Sequence, residues 1–109
     1  MREKRITEPM VSLTVAARRA RLSPARVREA IRIGLIRPYR VEGRAMYLSE
    51  SDLGRLRRIR RLREDLGINT AGIEVVLRLL DEIEALNEAL ATSRRTKRTE
   101  SGGARWPSA

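Results

Sequence analysis

The chain has 109 residues, enough for one small domain with tails and a thin core. It contains no Cys and no His, which excludes disulfides, thiolate metal sites and the commonest general base. Net charge is +10 and the pI is near 11.5, so a polyanion is the natural partner to look for.

The charge is unevenly placed. Residues 11–63 carry fifteen arginines against Glu29, Glu42, Glu50 and Asp52. Residues 64–92 carry Arg78 against seven acids, and residues 93–109 carry five basic groups against Glu100. A basic body, an acidic helix and a basic tail suggest nucleic acid for one part and a different task for another. No apolar run is long enough to cross a bilayer, and the charged start MREKRITEPM has no signal-peptide core. The expected location is cytoplasmic, with no membrane partner, no metal and no cofactor.

Residues 1–10 read as a flexible arm, because Pro9 bars a helix there. Thr14 can cap a first helix over residues 15–21, in which Ala16, Ala17 and Ala20 allow close packing and Arg18 and Arg19 stay exposed. Arg21-Leu22 makes a turn. Ser23 then caps a second helix and Pro24 takes its first position, where a missing N–H costs nothing. Val27, Ala30 and Ile31 share one face of that helix by the i, i+3, i+4 rule. Arg28 and Arg32 lie one turn apart on the other side, with Arg26 flanking, and Gly34 stops the helix. Two short helices joined by a tight turn predict a helix-turn-helix whose second member is the recognition helix.

Pro38 prevents the helix from resuming. Tyr39-Arg40-Val41 and Ala45-Met46-Tyr47-Leu48 flank Glu42-Gly43-Arg44, which predicts a two-stranded wing with Arg40 and Arg44 near its tip. Ser49, with Asp52 three residues on, predicts the capped start of a third helix. Its apolar stripe is Leu53, Leu56, Ile59, Leu62 and Leu66, with Arg57, Arg58 and Arg61 pointing away. Gly67 is the natural stop. Asn69 or Thr70 starts a fourth helix over residues 71–91. Written as heptads, Ile73, Leu80 and Asn87 fall at a, and Val76, Ile83 and Leu90 at d, with Leu77 widening the stripe. That pattern predicts a dimer interface built from Ile73, Val76, Leu77, Leu80, Ile83, Asn87 and Leu90. Residues 92–109 are Ser, Thr, Gly, Arg and Lys with one Trp and no periodicity, the composition of a disordered basic tail.

The expected architecture is therefore mainly all-α: an arm at 1–10, a winged helix-turn-helix domain at 11–66, a dimerisation helix at 67–91 and a tail at 92–109. Phosphate or base contacts are expected from Arg18, Arg19, Ser23, Arg26, Arg28, Arg32, Arg40, Arg44, Arg57, Arg58 and Arg61. No facing pair of carboxylates, glycine-rich phosphate loop or nucleophile–base arrangement is present, so no catalysis is expected.

These residues resemble the MerR superfamily. The resemblance rests on LTVAARRARLSPARVR at residues 13–28, Gly34-Leu35-Ile36-Arg37-Pro38, DLGRLRRI at residues 52–59, and the helix after Gly67. It covers about residues 11–90. It implies a dimeric DNA-binding transcriptional regulator that docks one recognition helix per protomer in adjacent major grooves. Two chaperone-linked branches are similar. LTVAA, SPARVR and LGINTAGI resemble HspR-like heat-shock repressors. LREDLGINTAGIEVVLRLLDEI resembles CbpM-like chaperone modulators, which implies as an alternative that a DnaJ-type J-domain or another chaperone is the partner. Glu74, Asp81, Glu82, Glu84 and Glu88 would then be the acidic face that meets it. The chain departs from the family at Arg21, where the turn usually has Gly, and at Glu29 and Ala30, where aromatic residues usually follow the arginine.

Overall fold

The computed structural model describes residues 9–100, with side chains described for residues 9–98. The first eight residues of the expected arm, and residues 101–109 of the expected tail, lie outside the described residues. The elements run β1 (Met10–Ser12), α1 (Leu13–Ala20), α2 (Pro24–Arg32), β2 (Arg40–Glu42), β3 (Ala45–Ser49), α3 (Glu50–Arg60) and α4 (Thr70–Glu100). A wider π-type turn over Arg61–Asp65 follows α3. Among the described residues, 9–75 form one compact unit and 76–100 form a second.

Local chemistry sets the helix starts. Ser12, not Thr14, caps α1, its hydroxyl accepting from the Val15 N–H at 3.3 Å. Thr14 lies inside the first turn instead. The Ser23 hydroxyl accepts from the Arg26 N–H at 3.2 Å with Pro24 directly after it, as the sequence predicts. At α3 the cap is reciprocal. Ser49 Oγ accepts from the Asp52 N–H at 3.2 Å, and Asp52 Oδ2 accepts from the Ser49 N–H at 2.8 Å. Both residues are buried, so this pair satisfies donors that water cannot reach. Asn69 is the cap of α4, its Oδ1 accepting from the Gly72 N–H at 2.8 Å.

The wing has three strands where the sequence predicts two. β3 is the centre of an antiparallel sheet ordered β1-β3-β2. The hairpin aligns Arg40 with Tyr47, Val41 with Met46 and Glu42 with Ala45. Gly43 opens its two-residue loop at φ +58°, a conformation that favours glycine at the head of a hairpin turn. β1 pairs Val11 with Leu48 on the other edge. Met10 therefore belongs to the sheet, not to the arm.

Small residues bring α1 close to its neighbours. Ala16, Ala17 and Ala20 are buried where α1 meets α2 and α3. Leu48, Leu53 and Leu56 are fully buried, each side chain contributing about 2 kcal/mol of hydrophobic stabilisation. Of the predicted stripe on α3, Leu53, Leu56, Ile59 and Leu62 are buried but Leu66 is 67% exposed. The π-type turn explains the difference. Its Leu66 N–H reaches the Arg61 carbonyl at 3.1 Å, and the wider turn rotates everything after it off the α-helical stripe.

The fourth helix runs to Glu100, well past the boundary expected at Ala91. Residues 92–100 are thus helical and not part of a disordered tail. Every residue from Asp81 to Arg98 is exposed.

Candidate nucleic-acid interface

The recognition helix presents its cations by geometry. Val27 and Ala30 are buried, so Arg28 and Arg32, one turn apart, stand on the outward side. Both are exposed and neither bonds to a described residue. Ser23 is exposed as well; its oxygen is engaged by the cap, and its hydroxyl hydrogen remains a donor.

Arg26 does not share that side. At 3.6 residues per turn it lies about 200° from Arg28. It lines instead a shallow notch with Leu22, Glu29, Ile33, Ile59, Arg60 and Arg63. Three arginines from α2, α3 and the turn beyond thus rim one apolar floor. Arg60 and Arg63 were not among the residues singled out from the sequence. Their convergence on Arg26 is a tertiary event with no local signal. Arg63 also donates from Nη2 to Thr70 Oγ1 at 2.9 Å, tying the turn to the start of α4.

The other predicted arginines divide between open and paired. Arg18, Arg44, Arg57, Arg58 and Arg61 are exposed, and their side chains make no bond to a described residue. Arg19 is paired to Glu50 at 3.1 Å, and Arg40 to Glu42 at 3.4 Å. Both pairs are solvent-exposed and weak, so a phosphate can displace either carboxylate at a cost of about 0.2–1 kcal/mol. Arg55 serves the fold: its Nε donates to the Leu35 carbonyl at 2.6 Å and pins the segment after α2 onto α3.

Exposed guanidinium groups of this kind can neutralise phosphates and read guanine edges. Residues 11–95 match the family described as MerR HTH family regulatory protein. The chain belongs to the MerR family of helix-turn-helix regulatory proteins. A Streptomyces coelicolor protein described as a heat shock protein, HspR, is 35% identical over 83 residues, which cover 76% of this chain. The chain spans 55% of that relative's length. The MerR assignment fits the order of elements found here: a helix-turn-helix, a wing, a third helix and a long last helix. Among the described residues, no helix is long and apolar enough to cross a membrane.

The expected dimer residues are also redistributed. Ile73 and Leu77 are buried within a single chain, at 0% and 1% exposure. They stand at a and beside the seam in the sequence heptads. Val76 and Leu80 are half-buried, and Ile83, Asn87 and Leu90 are exposed. The exposed apolar positions of α4 are Val75, Leu79, Ile83, Leu86 and Leu90. From Leu79 onward they repeat at intervals of four, three and four residues.

Proposed function

We propose that this MerR-family protein is a non-enzymatic transcriptional regulator that binds duplex DNA as a homodimer in the cytoplasm and controls chaperone or heat-shock genes. The observation that carries the reading is α2, with Arg28 and Arg32 exposed on the side away from the core and their side chains bonded to no described residue. Arg44 on the wing and Arg57, Arg58 and Arg61 on and after α3 add cationic reach. Arg18, Arg19, Ser23, Arg26 and Arg40 complete the set of proposed contacts. The choice of target genes rests on the likeness to HspR. No observation favours the reading as a J-domain modulator.

The dimer follows from the distal part of α4. A helix with no buried residue from Asp81 to Arg98 leaves its apolar stripe in water, which a lone helix of this kind does not sustain. A second copy seated on Leu79, Ile83, Leu86 and Leu90 would cover it. This seam has the heptad spacing of a coiled coil. It is displaced from the one written from sequence, and Asn87 lies beside it, not in it. On this seam Asn87 would not set the register.

Selection of bound molecules from a random-sequence duplex library tests the function. A dimeric reader enriches two half-sites related by two-fold symmetry, spaced by about one helical turn or a multiple of it. Enrichment of a single unsymmetrical element, or of none, contradicts the reading.

A further inference from the structure

The turn between α1 and α2 holds a residue that does not suit its backbone. Arg21 has φ +61° and ψ +40°, the left-handed region, and is the one non-glycine with positive φ among the described residues. The conformation is imposed by the way α1 ends. The Leu22 N–H reaches back to the Ala17 carbonyl at 2.9 Å, and the Arg21 N–H to the Arg18 carbonyl at 3.2 Å. That pair of bonds requires a left-handed residue between them, a place where glycine carries no strain and asparagine little. An arginine there is strained and, by the fold alone, replaceable.

Its side chain is nevertheless exposed and has no bond to a described residue. It stands just before the Ser23 cap of the recognition helix and just after Arg18 and Arg19 in the last turn of α1. In a docked helix-turn-helix the first helix crosses the DNA backbone and the start of the second enters the groove. Arg21 sits where the chain passes from one to the other.

We infer that Arg21 is a further contact to a DNA backbone phosphate, retained for its charge at a position where the backbone disfavours it. This rests on the DNA-binding reading above. Guanidinium and phosphate form strong charge-assisted hydrogen bonds, and such a contact positions the protein without reading sequence.

The test compares the parent protein with Arg21→Gly, Arg21→Asn and Arg21→Lys. The readouts are thermal melting and anisotropy titrations on two fluorescein-labelled duplexes, one of a selected sequence and one scrambled. Arg21→Gly and Arg21→Asn are expected to melt a few degrees higher, because the turn is relieved. Both are expected to bind the two duplexes more weakly by the same factor. For a dimer the salt slope should fall by about 1.8, so the affinity gap to the parent is about twelvefold wider at 50 mM than at 200 mM salt. Arg21→Lys keeps the slope and the strain. A higher melting temperature with an unchanged salt slope overturns the inference and leaves Arg21 as a strained turn residue. A lower melting temperature for Arg21→Gly removes its premise. Failure of the parent itself to bind either duplex, seen in the same titrations, is instead the failure of the DNA-binding reading.

Discussion

Single arginines in this chain have different neighbours and so different expected effects. The Arg28 and Arg32 side chains on α2 make no bond to a described residue, whereas Arg19 is held by Glu50 and Arg55 by the Leu35 carbonyl. The double variant Arg28→Glu, Arg32→Glu should keep the parent's melting temperature and lose the retarded band in a gel-shift assay. Arg19→Glu should weaken binding less, since one carboxylate already offsets that charge. If the double variant shifts duplex as well as the parent, α2 is not the reading element. Gly72 gives a second prediction. A Cβ there would lie 2.6 Å from Ile68 Cγ2 and 3.3 Å from Asn69 Oδ1. Helix propensity favours alanine by about 1 kcal/mol, but forcing an atom into packed neighbours costs about 1–3 kcal/mol. Gly72→Ala should therefore lower the melting temperature, read by circular dichroism, despite being helix-promoting on paper.

Helix starts are the part of the structure most visible in the sequence, because a cap is a transaction between residues three apart. Ser23 with Pro24, and Ser49 with Asp52, are found where their residue types place them. Gly67 likewise ends its turn at φ +66°. What escaped the sequence was non-local. β1 is three residues long and exists only because β3, far along the chain, pairs with it. The π-type turn hid behind an apolar stripe with helical i, i+3 and i+4 spacing, which predicts Leu66 on the inner face. On α4 the sequence does not show which apolar residues the chain buries and which it leaves exposed. Apolar periodicity marks Ile73 and Leu77 as strongly as Leu79 and Leu86, and only burial separates the pair the chain uses for itself from the pair left open. That division is testable by sedimentation equilibrium. Leu86→Glu should convert a dimer to a folded monomer, since the side chain is 68% exposed in one chain. Leu77→Glu should unfold it, because a buried unpaired charge costs several kcal/mol. Asn87→Ala should leave the dimer unchanged. Dissociation by Asn87→Ala would restore the register first written from the sequence.

The charge of the molecule as a whole is organised in the same way. The unit up to Val75 bears the excess of arginines, while the middle of α4 carries Asp81, Glu82, Glu84 and Glu88 on an exposed helix. A duplex is attracted to the first and repelled by the second, so the acidic stretch helps exclude DNA from the surface proposed for dimerisation. In the proposed reading, exposed arginines on the wing and α3 add to the charge offered by α2, so contacts to phosphate would not depend on aromatic residues. Neutralisation of phosphates leaves a signature that contacts to bases alone do not. The affinity of the intact protein for a duplex should therefore be followed as salt is raised from about 50 to 200 mM. If six to ten phosphates are engaged by the dimer, log affinity should fall linearly with log salt with a slope of about −5 to −9, a loss of about 10³ to 10⁵ over that interval. A slope near zero, or no binding at the lowest salt, would contradict the account.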